Sequence, residues 1–147
     1  MRTLGIDPGQ RRVGLAISDA GGSLASAYDV LHVGSLCASI PQILKVIETE
    51  GVERLVIGLP LNMDGSRGPA ANESLQFGRA LQKASGKPTL FVDERLSSFE
   101  AEQQLISRKR SGEKITRKQK KNRLDALAAA SFLQAFLDGG ETLNDQP

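Results

Sequence analysis

Residues 54–60 read RLVIGLP, an apolar run with no polar alternation, bounded by Arg54 and Pro60. A run this short is a strand, and a strand apolar on every position is covered on both faces. That requirement constrains the chain more than any other stretch, because it demands a sheet sandwiched between other elements. A second run of the same kind, PTLFVDE, follows at 88–94. Between them, Pro69 is placed for the first turn of a helix that runs to about Ser85 and closes at Gly86. The two runs are thus expected to be neighbouring parallel strands joined by a helical crossover.

The chain before them reads differently. Residues 2–7 and 12–19 are β-rich and flank Pro8-Gly9-Gln10-Arg11, a hairpin signature, and a third β-rich run covers about 24–33. Ile40, Ile43, Leu44 and Ile47 then recur at helical spacing over 39–50, ended by Gly51. After the last strand, Ser97-Ser98-Phe99-Glu100 has the form of a capping box opening a helix to about Arg108. A final helix is expected from about Gln119 to Leu137, stopping at Gly139-Gly140. The fold class this predicts is α/β: a ribonuclease H-like mixed five-stranded sheet, three antiparallel strands then two parallel, flanked by helices. A chain of 147 residues with no linker or repeat is expected to form one such domain over 1–138, with 139–147 a frayed tail.

Several function classes drop out. No apolar run approaches the roughly 20 residues of a membrane span, and because Met1-Arg2-Thr3 enters a strand-like segment at once, no signal peptide is expected. Cys37 is the only cysteine and His32 the only histidine, which removes disulfides, cysteine-based zinc sites and histidine clusters. A cytoplasmic protein is expected. The net charge of +2 conceals an asymmetry, because Arg108–Arg123 holds nine of the 19 Lys and Arg against one acid, Glu113. That segment carries +8 and leaves the remainder at −6. A run of cations is often only a solvated loop. Cations gathered in one place on an otherwise acidic chain instead favour a phosphate backbone as partner.

The acids point the same way. Asp7 ends the first strand, Asp93 and Glu94 end the last, and Asp64 follows the fourth; ligands collect at such carboxyl ends in α/β sheets. Asp125 shares a helical face with Ala129, Phe132 and Phe136, so it stands on a side made for packing. Each acid has a bland alternative: Asp7 accepting turn amides, Glu94 pairing with Arg95, Asp125 capping the last helix. Together, Asp7, Glu94 and Asp125 form a candidate cluster. Carboxylates so placed repel unless a cation holds them, and Mg²⁺ or Mn²⁺ takes such oxygen ligands. Two such ions about 3.5–4 Å apart can serve phosphodiester cleavage.

Four stretches, GIDPGQRRVGLAISD, VIGLPLNMDGS, VDERLSSFEA and LDALAAASFLQAFL, resemble in that order the motifs of the YqgF/RuvX family, from about Thr3 to Leu137. These are bacterial ribonuclease H-like proteins related to Holliday junction resolvases and described as pre-16S rRNA nucleases. The resemblance implies a metal-dependent nuclease maturing the 5′ end of 16S ribosomal RNA. It places the family's acids on Asp7, Glu94 and Asp125, and basic motif positions on Arg12 and Arg95. Asn62 and Asp64 match a family loop whose role it leaves open. Resolvases of similar fold carry their second acid on the fourth strand, where this chain has none. The cluster must be completed by Asp93, Glu94 or Asp64, and of Asp93 and Glu94 only one can face the site.

The expected partner is structured nucleic acid, either precursor 16S rRNA, also within ribosomal particles, or branched DNA. Lys114, Arg117, Lys118, Lys120, Lys121 and Arg123 are the candidate backbone contacts, with no membrane partner. Five Phe, one Tyr and no Trp leave little for base stacking, so shape readout is expected. Three rival readings stand beside this one. A DNA junction resolvase needs a symmetric dimer that cuts a four-way junction. A nucleotide-binding domain of the actin and sugar-kinase type needs a second such domain and would be stabilised by ATP. A non-catalytic RNA-binding protein would show the same cleavage pattern with or without Asp7.

Overall fold

The computed structural model describes residues 1–9, 11–94, 117–140 and 142–143, with the side chains of 117–125 excepted. Five strands, β1 (Thr3–Asp7), β2 (Arg12–Ser18), β3 (Ala25–His32), β4 (Arg54–Leu59) and β5 (Thr89–Asp93), form one sheet in the order β3-β2-β1-β4-β5. The β1–β2 and β2–β3 pairs are antiparallel, and the β1–β4 and β4–β5 pairs are parallel. Among the described residues the helices are α1 (Ile40–Glu50), α2 (Pro69–Ser85) and α3 (Arg117–Leu137), and a short 3-10 turn at Cys37–Ser39 leads into α1.

The apolar run 54–60 is explained by its cover. Leu55, Ile57 and Leu59 face a core with Leu4, Ile6, Ile43, Ile47, Leu75, Phe77 and Leu81, built with α1 and α2. Val56 faces the other way, into a smaller core with Ala16, Val92, Ala129, Phe132 and Leu133 of α3. Small residues let the helices sit close. A Cβ added at Gly78 of α2 would lie 2.6 Å from the Phe91 ring and 2.9 Å from Ile57 Cδ1. Gly78→Ala is therefore expected to destabilise the fold by about 1–3 kcal/mol, an overpacking cost readable by urea denaturation.

The outer edge of β3 is closed off by polar side chains. The Gln134 amide of α3 accepts the Ala25 N–H at 2.9 Å and donates to Ser23 O at 2.9 Å, while Asp29 Oδ1 accepts the Val30 N–H at 2.8 Å. An edge with its donors so occupied offers little to an adding strand.

Two expectations need adjustment. The last helix begins at Arg117 rather than Gln119, so Arg117, Lys118, Lys120, Lys121 and Arg123 fall on its first two turns. The frayed tail expected over 139–147 does not extend to Leu143, whose N–H donates to Phe91 O at 2.7 Å beside the α1–α2 core. The expected helix from Ser97 to Arg108, with Arg95 and Lys114, lies outside the described residues.

Candidate nuclease site

β1 and β4 run side by side in register from Thr3↔Arg54 to Ile6↔Ile57, so one further step sets Asp7 beside Gly58. Leu4 and Ile6 point into the α1–α2 core, and alternation turns Gly5 and Asp7 toward α3. A Cβ on Gly5 would indeed meet Leu133 Cβ at 3.1 Å and Ala129 O at 3.3 Å. Asp7 thus stands on the α3 side of the sheet, at the carboxyl end of its central strand. Arg12 opens β2 two residues before Gly14, the partner of Asp7, and alternation places it on the same side of the same rim.

Glu94 follows β5, two strands from β1, and must cross β4 to reach Asp7. Its backbone N–H bonds Leu59 O at 3.3 Å, which fixes where the crossing starts. The crossing is open because β4 carries glycine there: a Cβ on Gly58 would lie 3.0 Å from both Cβ and Oε2 of Glu94. Glu94 and Asp7 meet in a side-chain hydrogen bond. Burial pushes the Asp7 carboxyl above its ordinary range, and the bond to Glu94 draws it part of the way back. Two carboxyl groups in such contact share a proton, and only a bound cation would let both stay ionised.

The other candidates are placed differently. Asp93 follows Phe91 on the α1–α2 side of β5, opposite Glu94. Asp64 is exposed after β4, where Oδ1 accepts the Ser66 N–H at 2.9 Å, and Asn62 bonds Ser66 Oγ at 3.0 Å. Of the acids that could complete the cluster, Glu94 is the one the structure brings to Asp7.

Asp125 is positioned by the run of α3. The Arg54 guanidinium, at the start of β4, lies 4.7 Å from the Phe136 ring, whereas Gly58, near its end, faces Phe132. The helix therefore runs antiparallel to β4, with its N-terminal turns toward the rim that holds Asp7 and Glu94. Residue 125, one turn before Ala129 and seven residues before Phe132, falls at that rim. It is more than two turns inside the helix, which excludes the capping role. Among the described residues, no three acidic, histidine or cysteine side chains form a metal-holding group.

Gly58 is the functional position that sequence reasoning missed. Its signal was in view, the single glycine of an otherwise bulky run, but its meaning depends on which side chain lies across it.

A sheet of this order is that of the ribonuclease H-like fold, and the comparisons add the class of protein built on it. The family model described as "RuvX: Holliday junction resolvase" matches residues 1–139. The chain is 41% identical over 145 residues to a Syntrophomonas wolfei protein named "Putative pre-16S rRNA nuclease", covering 99% of each. An Acidiphilium cryptum protein of the same name is 40% identical over 93% of this chain and 84% of its own. Among solved structures, Thermus thermophilus RuvC in complex with a Holliday junction substrate superposes with a TM-score of 0.60 at 17% identity, covering 97% of this chain and 99% of RuvC, a likeness of fold. The chain belongs to the RuvX family and is a hydrolase acting on phosphodiester bonds. No helix of the described residues is long and apolar enough to cross a membrane.

Proposed function

We propose that this protein is a divalent-metal-dependent nuclease that matures the 5′ end of precursor 16S ribosomal RNA in the cytoplasm. The observation that carries the reading is the meeting of Asp7 and Glu94 at the sheet rim, toward which the basic start of α3 is directed. Its support from relatives is the name pre-16S rRNA nuclease borne by proteins about 40% identical along nearly the whole chain.

The site fits a hard cation. Asp7 is desolvated beside a second carboxyl, and Oε2 of that carboxyl is buried with no hydrogen bond to it. Oxygen ligands with excess negative charge suit Mg²⁺ or Mn²⁺ and no softer metal. Asp7 and Glu94 would hold the ion with Asp125, and the ion would supply charge at the scissile phosphate and a water more readily deprotonated. The chain's own task is positioning. Asp7 is fixed by the central strand, and Glu94 is fixed by its N–H to Leu59 and its seat on Gly58. Arg12 stands at the rim where a phosphate would lie, with Arg95 next to Glu94 in sequence.

The cations Arg117, Lys118, Lys120, Lys121 and Arg123, with Lys114 before them, hold the substrate backbone, a sequence-blind role. Replacing Lys118, Lys120 and Lys121 by Ala should weaken RNA binding and lower the slope of log K against log salt by about 2 to 3. An unchanged slope in a fluorescence-anisotropy titration would remove the basic helix start from the interface. The decisive assay incubates purified protein with a precursor 16S RNA fragment, with and without Mn²⁺, beside Asp7→Asn. Metal-dependent cleavage at the mature 5′ end by the wild type alone is expected. Cutting of a four-way DNA junction but not of the RNA would move the reading to junction resolution.

A further inference from the structure

A cleft of about 480 Å³ lies between the loop after β3 and the N-terminal half of α2. Gly34, Leu36 and Cys37 line one side of it, and Glu73, Gln76 and Phe77 line the other. Leu36 and Phe77 belong to the α1–α2 core, so part of the lining is apolar. Glu73 and Gln76 are exposed, and their spacing of three residues sets them side by side on one helix face. Neither makes a hydrogen bond or an ion pair with a described residue. No lysine or arginine is among the described residues that line the cleft. Apolar surface with a few unengaged polar groups is the make-up of a small-ligand site. A carboxylate with no cation beside it repels phosphate and calls for N–H donors.

Strand pairing brings this cleft to the end of the sheet that carries the acids. Asp7 pairs with Gly14 and Gly14 with Val30, so β3 runs parallel to β1 with Val30 level with Asp7. Two strand spacings separate them, about 10 Å. β3 ends at His32, and the Val33 N–H then donates to Arg11 O at 2.9 Å, just before β2. The loop that lines the cleft therefore starts at the acid rim. α2 ends just before β5 begins, so its N-terminal half lies toward the carboxyl ends of the strands as well. Asp7 faces α3 and the cleft faces the α1–α2 side. A strand held at the acids reaches the cleft by passing over the rim between them.

We propose that this cleft is a guanine-binding site, taking one unpaired base of the RNA a few nucleotides from the scissile phosphate. The inference rests on the nuclease reading above and adds to its sequence-blind backbone contacts a pair of residues that read a base. The chemistry selects guanine. An ionised carboxylate only accepts, and among the four bases guanine alone sets two donors, N1–H and N2–H, side by side on its Watson–Crick edge. Guanine O6 stands next to them and takes the Gln76 amide. Adenine and cytosine place a bare ring nitrogen beside their amino group, and the one N–H of uracil lies between two carbonyls. Each of these sets an acceptor against the Glu73 carboxylate. Leu36 and Phe77 supply the apolar surface against which an extruded base packs.

Cys37 supplies the reporter, because it is exposed, lines the cleft and is the chain's only cysteine. The rate at which N-ethylmaleimide alkylates it is measured with millimolar GMP, IMP, AMP, CMP or UMP. GMP should slow the reaction several-fold, IMP, which lacks the N2 amine, should slow it less, and the other three should leave it unchanged. Glu73→Ala should abolish the protection. Gly34→Leu should abolish it by filling the cleft, and the fold admits that change: a Cβ on Gly34 meets nothing within 4 Å beyond its chain neighbours, and its φ is not positive. No protection by GMP overturns the proposal, and so does equal protection by all five nucleotides, the mark of a phosphate or ribose contact. In a pool of precursor RNA with a randomised single-stranded flank, the wild type should cut guanine-bearing flanks about tenfold faster, the scale of one two-point base contact. Glu73→Ala should lose that preference. Cutting by the wild type that ignores guanine overturns the proposal and leaves the nuclease reading standing. GMP protection in a chain that cuts no RNA overturns that reading and leaves the guanine site.

Discussion

Asp7→Asn should lower cleavage of precursor RNA by about 10² to 10³-fold or more, the scale of losing a charged group at a reacting centre. RNA affinity should survive, because the backbone contacts lie on other residues. The same substitution should also make the metal-free protein more stable at neutral pH. Burial holds the Asp7 carboxyl above its ordinary value of 3.8, so the folded chain keeps a proton that the unfolded chain has released. Rising pH therefore removes stability between 3.8 and the raised value, and above that value the full cost of the buried charge is present. Asparagine keeps the shape without the charge. In melting curves recorded in EDTA, the variant should melt above the wild type near pH 7, and the gap should close as the pH falls below 3.8. Equal melting temperatures across that range would mean that Asp7 bears no such burden. Added Mn²⁺ should raise the wild type and leave the variant nearly unmoved, by mass action on the folded state.

The second large effect is expected at Gly58. A Cβ there would stand 2.8 Å from the Phe132 ring and 3.0 Å from the Glu94 side chain, so Gly58→Ala meets two neighbours at once. The overlap should destabilise the fold by about 1–3 kcal/mol. The displacement of Glu94 should lower cleavage by about 100-fold, since a shift of about 1 Å at a reacting group has that consequence. The two effects separate in a double variant. Phe132→Leu relieves the contact with the ring, so the pair should regain much of the melting temperature and none of the lost cleavage. A double variant as active as wild type would show that Glu94 has no need of the passage over β4.

These two positions also mark where the sequence stopped being readable. The strands and helices were legible because each buries a face with its own period: the unbroken run at 54–60, the spacing of Ile40 to Ile47, Pro69 ahead of its helix. Asp7 was legible as an acid at the end of an apolar strand. The choice among Asp93, Glu94 and Asp64 was only half legible. Strand alternation says that Asp93 and Glu94 diverge, but not which of them finds open backbone beside it. Gly58 decides that, and periodicity cannot express a relation between position 58 and position 94 that exists only after β4 and β5 pair. The return of Leu143 to Phe91 was hidden for the same reason, since a single backbone bridge leaves no pattern in nearby residues.

The rim is built from the first strand of the chain, a glycine in the fourth, an acid past the fifth and the start of the final helix. During synthesis, Asp7 leaves the ribosome long before its partners exist. Until α3 docks, one face of the sheet lacks its cover, and the pieces of the rim are not held against one another. The candidate site therefore depends on the element made last: only when α3 has docked is the face of the sheet that carries Asp7 and Glu94 covered.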